Sequence, residues 1–290
     1  MTSELSARYA KGMSFLARPG SGLRSLVLLH GIGSNAQSFS HLTGELPEEL
    51  GLLAWNAPGY AASEPLSKVW PTAEDYARAL AGLLDAAKLD TVDLLGHSLG
   101  TLIAAEFARL FPDRIGSLVL ASAALGYAVP PEGDMPAKVQ GRIDDLNRLG
   151  PVDFAKSRAA NLVHDPKRNP KTVARVQSAM EGVNPHGYGQ AVRMLASGNL
   201  AASLRAVPTT PAFIIGAEDR VTPIAQTRAA MAAWAEVHPS NPPLRVIEGA
   251  GHAVYAQQPA RFAEALLALL DIQGQSRQAE RAIEGEDNDR

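Results

Sequence analysis

Residues 96–100 read Gly-His-Ser-Leu-Gly and follow directly on the apolar run Val92–Leu95. The pattern Gly-x-Ser-x-Gly is typical of a sharp turn between a buried strand and a helix, which holds the serine at a strained backbone angle. Glycine is needed on both sides of Ser98, because side chains there would collide with the neighbouring strand or helix. The buried helical pattern of Thr101–Leu110 completes this context. We therefore predict a strand, a tight turn and a helix around Ser98.

Strand and helix patterns alternate along the chain on both sides of this turn. Six short apolar runs predict buried strands: Leu26–Leu29, Leu52–Trp55, Val92–Leu95, Leu118–Leu120, Ala212–Ile215 and Leu244–Ile247. Thr72–Asp75 is predicted to be a capping box that opens a helix to about Lys88, and Pro259 to begin a helix over Ala260–Leu270. Residues 7–18 are expected to add an antiparallel hairpin at one edge. This alternation of strands and helices predicts an α/β protein with a doubly wound, mostly parallel sheet.

One long segment interrupts this alternation. Residues 123–207 separate two sheet strands, which is far more than an ordinary connection. Their content predicts four helices: Pro136–Leu149, Val152–Leu162, Pro170–Glu181 and Tyr188–Ala196. We expect them to form a helical lid that roofs Ser98, on a core made of residues 1–122 and 208–273. Residues 274–290 are polar and charged without apolar periodicity, as in a disordered tail.

Composition limits the classes of protein to consider. Of 290 residues, 46% are hydrophobic and 20% charged, as expected of a folded globular protein. The absence of cysteine excludes a thiol nucleophile, and the histidines lack the paired spacing of a metal site. A net charge of −3 favours neither nucleic acid nor a membrane surface as a partner. Without a signal-peptide or membrane-span pattern, we expect a cytoplasmic protein that acts on a small molecule. The oligomeric state, with a homodimer as one possibility, stays open.

A serine hydroxyl is a poor nucleophile at neutral pH, so Ser98 needs a base and a group that orients the base. His252 lies in a loop after a predicted strand, and Asp219 lies just past the predicted strand that ends at Ile215. All three residues then follow the carboxyl ends of strands, where open α/β sheets build their sites. The order serine, aspartate, histidine is the one expected with this turn. We predict Ser98, Asp219 and His252 as a catalytic triad, with Glu218 as the rival acid.

Two backbone N–H groups are candidates for binding the oxyanion. Leu99 follows the nucleophile at the start of a helix, and Ile32 lies in the loop after the first parallel strand. The candidate substrate contacts are His30, His97, Arg158, Tyr188 and Val254. A strand-end histidine more often packs than reacts. The lid arginines Arg142, Arg148, Arg158 and Arg193 are usually solvated, and contact of one of them with a substrate carboxylate, with Arg158 as the candidate, is a hypothesis.

Five motifs in order resemble the α/β hydrolase family: His30–Gly33, Pro58–Ser63, the serine turn, Gly216–Pro223 and Gly251-His252. The likeness spans about residues 24–270. It implies a sheet of eight strands, as in the family, with a helical lid inserted after the sixth strand. Within the family, Gly187–Leu195 is similar to the end of the lid in 3-oxoadipate enol-lactonases. Asn56 replaces the family's usual acid and Ala61 a frequent glycine, which puts the subfamily in doubt rather than the triad.

The sequence thus predicts a cofactor-independent serine hydrolase that cleaves a small ester or lactone through an acyl-enzyme. A C–C bond hydrolase of ring-cleavage products from aromatic catabolism is the nearest alternative, because the same triad serves both reactions. Two further alternatives belong to other classes: a cofactor-free lyase or oxygenase that uses His252 as a base, and a ligand receptor that retains the triad. A substrate that carries a carboxylate would favour contact with a lid arginine.

Overall fold

A sheet of eight strands forms the centre of the computed structural model, which describes residues 5–22 and 24–270. The strands lie in the order β1-β2-β4-β3-β5-β6-β7-β8. Strand β2 pairs antiparallel with β1 and β4, and the remaining neighbours pair in parallel. The strands are β1 Ser6–Ala10, β2 Met13–Arg18, β3 Ser25–Leu29, β4 Gly51–Trp55, β5 Val92–His97, β6 Ile115–Ala121, β7 Pro211–Gly216 and β8 Leu244–Ile247.

Helices pack against both faces of this sheet. They are α1 Ser40–Gly44, α2 Ala73–Ala86, α3 Leu99–Leu110, α4 Ala137–Arg158, α5 Pro170–Glu181, α6 Pro185–Ser197, α7 Leu200–Arg205, α8 Ile224–Ala235 and α9 Val254–Gln257, followed by α10, residues 259–270. Within the described part of the chain, no helix combines the length and the apolar composition that a membrane crossing requires.

Alternate residues of β3 enter two different cores. Val27 and Leu29 pack in the core that holds α2 and α3, whereas Leu26 and Leu28 pack in the core that holds α1, α9 and α10. Successive side chains of a strand point to opposite faces, so a strand covered on both faces must be apolar throughout. The apolar runs of the sequence therefore predicted the doubly wound α/β sheet correctly.

The predicted strands are all present, most of them longer than predicted by one to three residues at an end. The hairpin expected at residues 7–18 is β1 and β2, which turn at Lys11 and Gly12 with positive φ angles at the edge of the sheet. The capping box of α2 is present as well, since the Thr72 N–H donates to Asp75 Oδ2 over 2.8 Å.

Helices α4 to α7 lie between β6 and β7 and are called the cap below. The two helices predicted around residue 150 meet at Gly150, whose φ of 71° breaks the helical path before Pro151 within α4. The sequence predicted no helix between Ala196 and β7 and so missed α7. The boundaries 123–207 stay a prediction, and the predicted tail at 274–290 lies outside the described residues.

The cap meets the core at a close backbone contact. A Cβ atom on Gly187, in the first turn of α6, would overlap the carbonyl oxygen of Gly59. Three residues further on, Gln190 Nε2 donates to the carbonyl oxygens of Leu66 and Lys68 over 2.6 and 2.7 Å. Helix α6 is therefore held on the core by backbone packing and by a buried amide.

We expect Gly187→Ala to destabilise the protein, because the added methyl group has no space against Gly59. The cost should be about 1–3 kcal/mol in the free energy of unfolding, measured by urea denaturation. Gly82→Ala is the matched control: Gly82 also lies in a helix, but a Cβ there meets nothing within 4 Å. That variant should gain about 0.5–1 kcal/mol. Equal effects of the two changes would contradict the close contact.

Candidate active site

Ser98 lies at the junction of β5 and α3 with φ 53° and ψ −116°. This backbone conformation is rare for a residue with a side chain. A Cβ atom on Gly96 would overlap the carbonyl oxygen of Gly100, and a Cβ on Gly100 would overlap that of Leu29. The collisions predicted for both glycines are therefore confirmed, and they explain why the turn can be this tight.

Three buried side chains form a hydrogen-bonded line at the carboxyl ends of the strands. Ser98 Oγ lies 3.0 Å from His252 Nε2, and His252 Nδ1 lies 2.9 Å from Asp219 Oδ2. With the ring proton on Nδ1, His252 donates to the carboxylate and its Nε2 accepts from the serine hydroxyl. The structure thus brings together the three residues that the sequence selected.

The Asp219 carboxylate is held by several donors besides His252. The backbone N–H groups of Val221 and Thr222 each donate to Oδ1 over 2.9 Å. Burial pushes the pKa of Asp219 upward, but the interactions with His252 and Thr222 outweigh burial, so the pKa lies well below its ordinary value. Asp219 is therefore ionised at neutral pH.

Sequence reasoning did not single out Thr222, which lies against both Asp219 and His252. Its Oγ1 is 2.9 Å from Asp219 Oδ2, 3.0 Å from the Ser122 carbonyl oxygen and 3.2 Å from His252 Nδ1. The spacing of Asp219 and Thr222, three residues apart in one turn, is a signal that could have found it. Thr222 helps to fix the position of the carboxylate.

Glu218, the rival acid, faces a different group. Its Oε2 accepts a hydrogen bond of 2.9 Å from the backbone N–H of Ala250, in the loop that leads to His252. Glu218 thus supports the loop, whereas Asp219 contacts the imidazole itself.

His97 lies beneath His252 and lines the cavity above Ser98. Its Nε2 donates to the His252 carbonyl oxygen over 2.9 Å, and the two rings lie 5.0 Å apart. Burial lowers the pKa of His97 to about 3, so the ring is neutral at physiological pH. Its other nitrogen, Nδ1, has no hydrogen-bond partner among the described residues.

Two of the candidate substrate contacts do not reach the cavity. His30 is buried, donates from Nδ1 to the Gly31 carbonyl oxygen over 2.8 Å and accepts from the Ala57 N–H at Nε2 over 3.1 Å. Val254 begins α9 and is buried in the core formed with α1 and α10. These two assignments are corrected: His30 joins the loop after β3 to the loop after β4, and Val254 is a core residue.

A cavity of about 400 Å³ lies over Ser98, and residues of both the core and the cap line it. Ile32 and Leu99, the two candidate oxyanion donors, are among the core residues. The N–H of Ile32 has no acceptor within the described part of the chain. Leu99 is the first residue of α3, where an N–H has no partner inside the helix. Both N–H groups are thus free to bind an oxyanion.

Arg158 and Tyr188 line the same cavity from the cap. Arg158 Nη2 lies 2.9 Å from Asp145 Oδ2, and its guanidinium stacks 4.6 Å from the centre of the Phe154 ring. Tyr188 is buried and meets the edge of the same ring. Arg158 therefore faces the cavity with its charge already matched by a carboxylate.

Gln257 joins the cap to the loop that carries His252. Its Oε1 accepts from the N–H groups of His164 and Gly251 over 2.9 and 3.0 Å, and its Nε2 donates to the His164 carbonyl oxygen over 2.8 Å. The Ala253 N–H also donates to Leu162, over 2.8 Å. Nothing in the sequence marks Gln257, because its partners are backbone groups far away along the chain.

The fold and the serine turn are those of an α/β hydrolase. A sequence profile of the α/β hydrolase family matches residues 26–265, so the chain belongs to that family.

Named relatives cover several reactions. A 2-hydroxy-6-oxononadienedioate/2-hydroxy-6-oxononatrienedioate hydrolase of Dechloromonas aromatica is 32% identical over 152 residues, 50% of this chain and 52% of that protein. The chain thus spans about half the length of the first curated relatives that it matches. A pimeloyl-[acyl-carrier protein] methyl ester esterase of Aromatoleum aromaticum is 28% identical and aligns over 81% of this chain and 93% of its own. The enol-lactonase of Burkholderia xenovorans LB400 superposes with a TM-score of 0.77 at 19% identity, over 92% of this chain and all of the other.

We expect Asp219→Asn to lower kcat for ester hydrolysis by about 10⁴-fold, because an amide no longer fixes the imidazole tautomer and its charge. Glu218→Gln should lower kcat by less than about 10-fold, since it disturbs only a backbone contact. Steady-state hydrolysis of nitrophenyl acetate measures both values. The reverse ranking would assign the acid to Glu218.

The buried His30 should make the protein less stable as pH falls. Burial lowers the pKa of His30 to about 4 from its ordinary 6.5. Between these values the unfolded chain binds a proton that the native state does not, so the free energy of unfolding should fall by up to about 1.4 kcal/mol per pH unit. In His30→Gln that slope should become shallower between pH 6.5 and 4, as measured by urea denaturation. His41→Gln, at an exposed position, is the control; an unchanged slope in His30→Gln would contradict the assignment.

Proposed function

We propose that this protein is a cofactor-independent serine hydrolase that cleaves a small carboxylic ester or lactone through an acyl-enzyme. The observation that carries the proposal is the line of hydrogen bonds from Ser98 Oγ to His252 Nε2, 3.0 Å, and from His252 Nδ1 to Asp219 Oδ2, 2.9 Å. A nucleophile in contact with a base, and a base oriented by a third group, is the arrangement that activates a hydroxyl.

In the proposed reaction, Ser98 Oγ attacks the scissile carbonyl carbon while His252 Nε2 takes the hydroxyl proton. The carbonyl oxygen becomes an oxyanion and accepts hydrogen bonds from the N–H groups of Leu99 and Ile32. His252 then gives its proton to the leaving oxygen, and the C–O bond breaks to leave an acyl group on Ser98. Water attacks the acyl carbon by the same route in reverse, which releases the acid and restores the serine.

The environment of the site suits this sequence of steps. The ionised Asp219 stabilises the imidazolium that forms when His252 takes the proton. The positive end of α3 faces the developing oxyanion, and each backbone donor to an oxyanion is typically worth about 10²–10³ in kcat. Residues of the cap line the cavity above Ser98 together with the core, and the partial exclusion of water strengthens these interactions.

A second candidate is hydrolysis of a C–C bond in a ring-cleavage product. It is favoured by the 32% identity to the Dechloromonas aromatica hydrolase, whose named substrate is an enol ketone rather than an ester. The proposed ester or lactone reaction is favoured by the Aromatoleum aromaticum esterase, which aligns over a larger part of both chains. The two reactions share the triad and differ in the bond presented to Ser98.

We expect Ser98→Ala and His252→Ala each to lower kcat for nitrophenyl acetate by at least about 10³-fold. Because the two residues act as one unit, the double variant should lose little more than either single variant. If kcat of the double variant fell by the product of the two single-variant factors, Ser98 and His252 would not be acting as one unit.

Intact-mass spectrometry of the wild-type protein should show an acyl adduct during turnover, and Ser98→Ala should show none. Turnover without an adduct would favour a lyase or oxygenase that uses His252 alone, and slow single turnover with a large thermal shift would favour a receptor. Ser178→Ala, an exposed serine of the cap, controls for the substitution itself.

A further inference from the structure

The cavity above Ser98 differs in charge from the rest of the molecule. The whole chain carries a net charge of −3. In contrast, the described residues that line the cavity include no aspartate or glutamate and four cationic side chains, all from the cap: Lys138, Arg142, Arg158 and Arg175. Such a concentration of one sign in a cleft with apolar walls attracts ligands of the opposite sign.

The four cations differ in what they already contact. Arg158 pairs with Asp145, whose second oxygen pairs with Arg148 at 2.8 Å, so this carboxylate is fully occupied. Arg142, one turn after Lys138 on α4, has no carboxylate within 4 Å in the described part of the chain, and neither do Lys138 and Arg175.

Of the three cations without a carboxylate partner among the described residues, Arg142 is half-buried, whereas Lys138 and Arg175 are exposed at the rim of the cavity. Burial raises the pKa values of the Tyr60 and Tyr188 hydroxyls, and the positive charge of Arg142 acts in the opposite direction and lowers them. The Tyr60 hydroxyl in turn accepts a hydrogen bond of 3.4 Å from the Gly33 N–H.

Gly33 directly follows Ile32, the candidate oxyanion donor, and a Cβ on Gly33 would lie 3.6 Å from the Tyr188 ring. Tyr188 thus lies near both the oxyanion loop and Arg142. Arg142 lines the same cavity as Ser98, Ile32 and Leu99, so one small molecule in this cavity can meet both the nucleophile and the guanidinium.

We propose that Arg142 binds a carboxylate of the substrate, which makes the site selective for small esters or lactones that carry a carboxylate a few bonds from the scissile carbonyl. The proposal rests on the proposed hydrolase function and names its substrate class. A guanidinium offers a planar pair of donors that matches a carboxylate, and partial burial strengthens the pair by excluding water. Lys138 and Arg175 at the rim attract the anion without having to bind it.

The sequence left four lid arginines open, Arg142 among them, and gave Arg158 as the candidate contact for a carboxylate. Arg158 has a carboxylate partner in Asp145, so a second anion would have to displace or share it. Arg142 would gain its first ionic partner from the substrate. Burying a charge is costly unless it is paired, and this cost is relieved when the substrate binds.

The experiment compares matched substrates on the full chain. The monomethyl esters of succinate, glutarate and adipate are each assayed beside the corresponding ester with a terminal carboxamide, which has nearly the same shape and no charge. We expect the wild-type protein to prefer at least one acid over its amide by about 10- to 100-fold in kcat/KM. In Arg142→Gln that preference should be lost, mainly through a higher KM for the acids.

Arg142→Lys, which keeps the charge but not the planar pair of donors, should retain part of the preference. Arg168→Gln is the matched control, since it removes the same charge from an exposed position of the cap outside the cavity lining. Loss of the preference in Arg158→Gln instead of Arg142→Gln would overturn the assignment.

Two further measurements keep the proposal testable if Arg142→Gln fails to fold. Glutarate should inhibit the wild-type protein competitively, and its diamide should not. A wild-type protein that prefers no acid in the series, and that glutarate does not inhibit, overturns the proposal. Turnover of nitrophenyl acetate with an acyl adduct on Ser98 in the same preparation shows that the hydrolase function stands when the carboxylate proposal fails.

Discussion

The backbone reversal at Ser98 is the constraint on which the site depends. The serine can occupy its left-handed conformation only because Gly96 and Gly100 carry no side chains where the turn meets Leu29 and the first turn of α3. Parallel pairing of β5 with β3 and β6 fixes the start of the reversal, and the buried face of α3 fixes its end. The hydroxyl is thereby positioned before any partner side chain reaches it.

The imidazole of His252 is held through its backbone as well as its ring. Its carbonyl oxygen accepts from His97, and Gln257 connects the preceding residue to the cap. The loop that carries His252 is consequently hydrogen-bonded to the end of strand β5 on one side and to the cap on the other. Core and cap are thus joined by hydrogen bonds around His252, the proposed base, so packing of the cap bears directly on the geometry of Ser98, His252 and Asp219.

Core and cap contribute different physical properties to the cavity. The core supplies the neutral ring of His97, an ionised Asp219 beside His252 and free backbone N–H groups, which suit proton transfer and an oxyanion. The cap supplies the positive charge, of which Arg142 is the half-buried unpaired member. In the proposed function, the core therefore carries out the reaction and the cap selects the substrate.

Local patterns in the sequence determined the strands, most helices, the serine turn and the order of the triad, because periodicity and glycine spacing act over a few residues. Only tertiary structure decided that Thr222 and Gln257 support the triad and that His30 bonds to the backbone instead of facing the cavity. It also decided that Asp145 occupies Arg158 and leaves Arg142 unpaired among the described residues. The physical reason is that these roles depend on partners brought together by folding, and the spacing of residues along the chain does not specify which charges and backbone groups will meet.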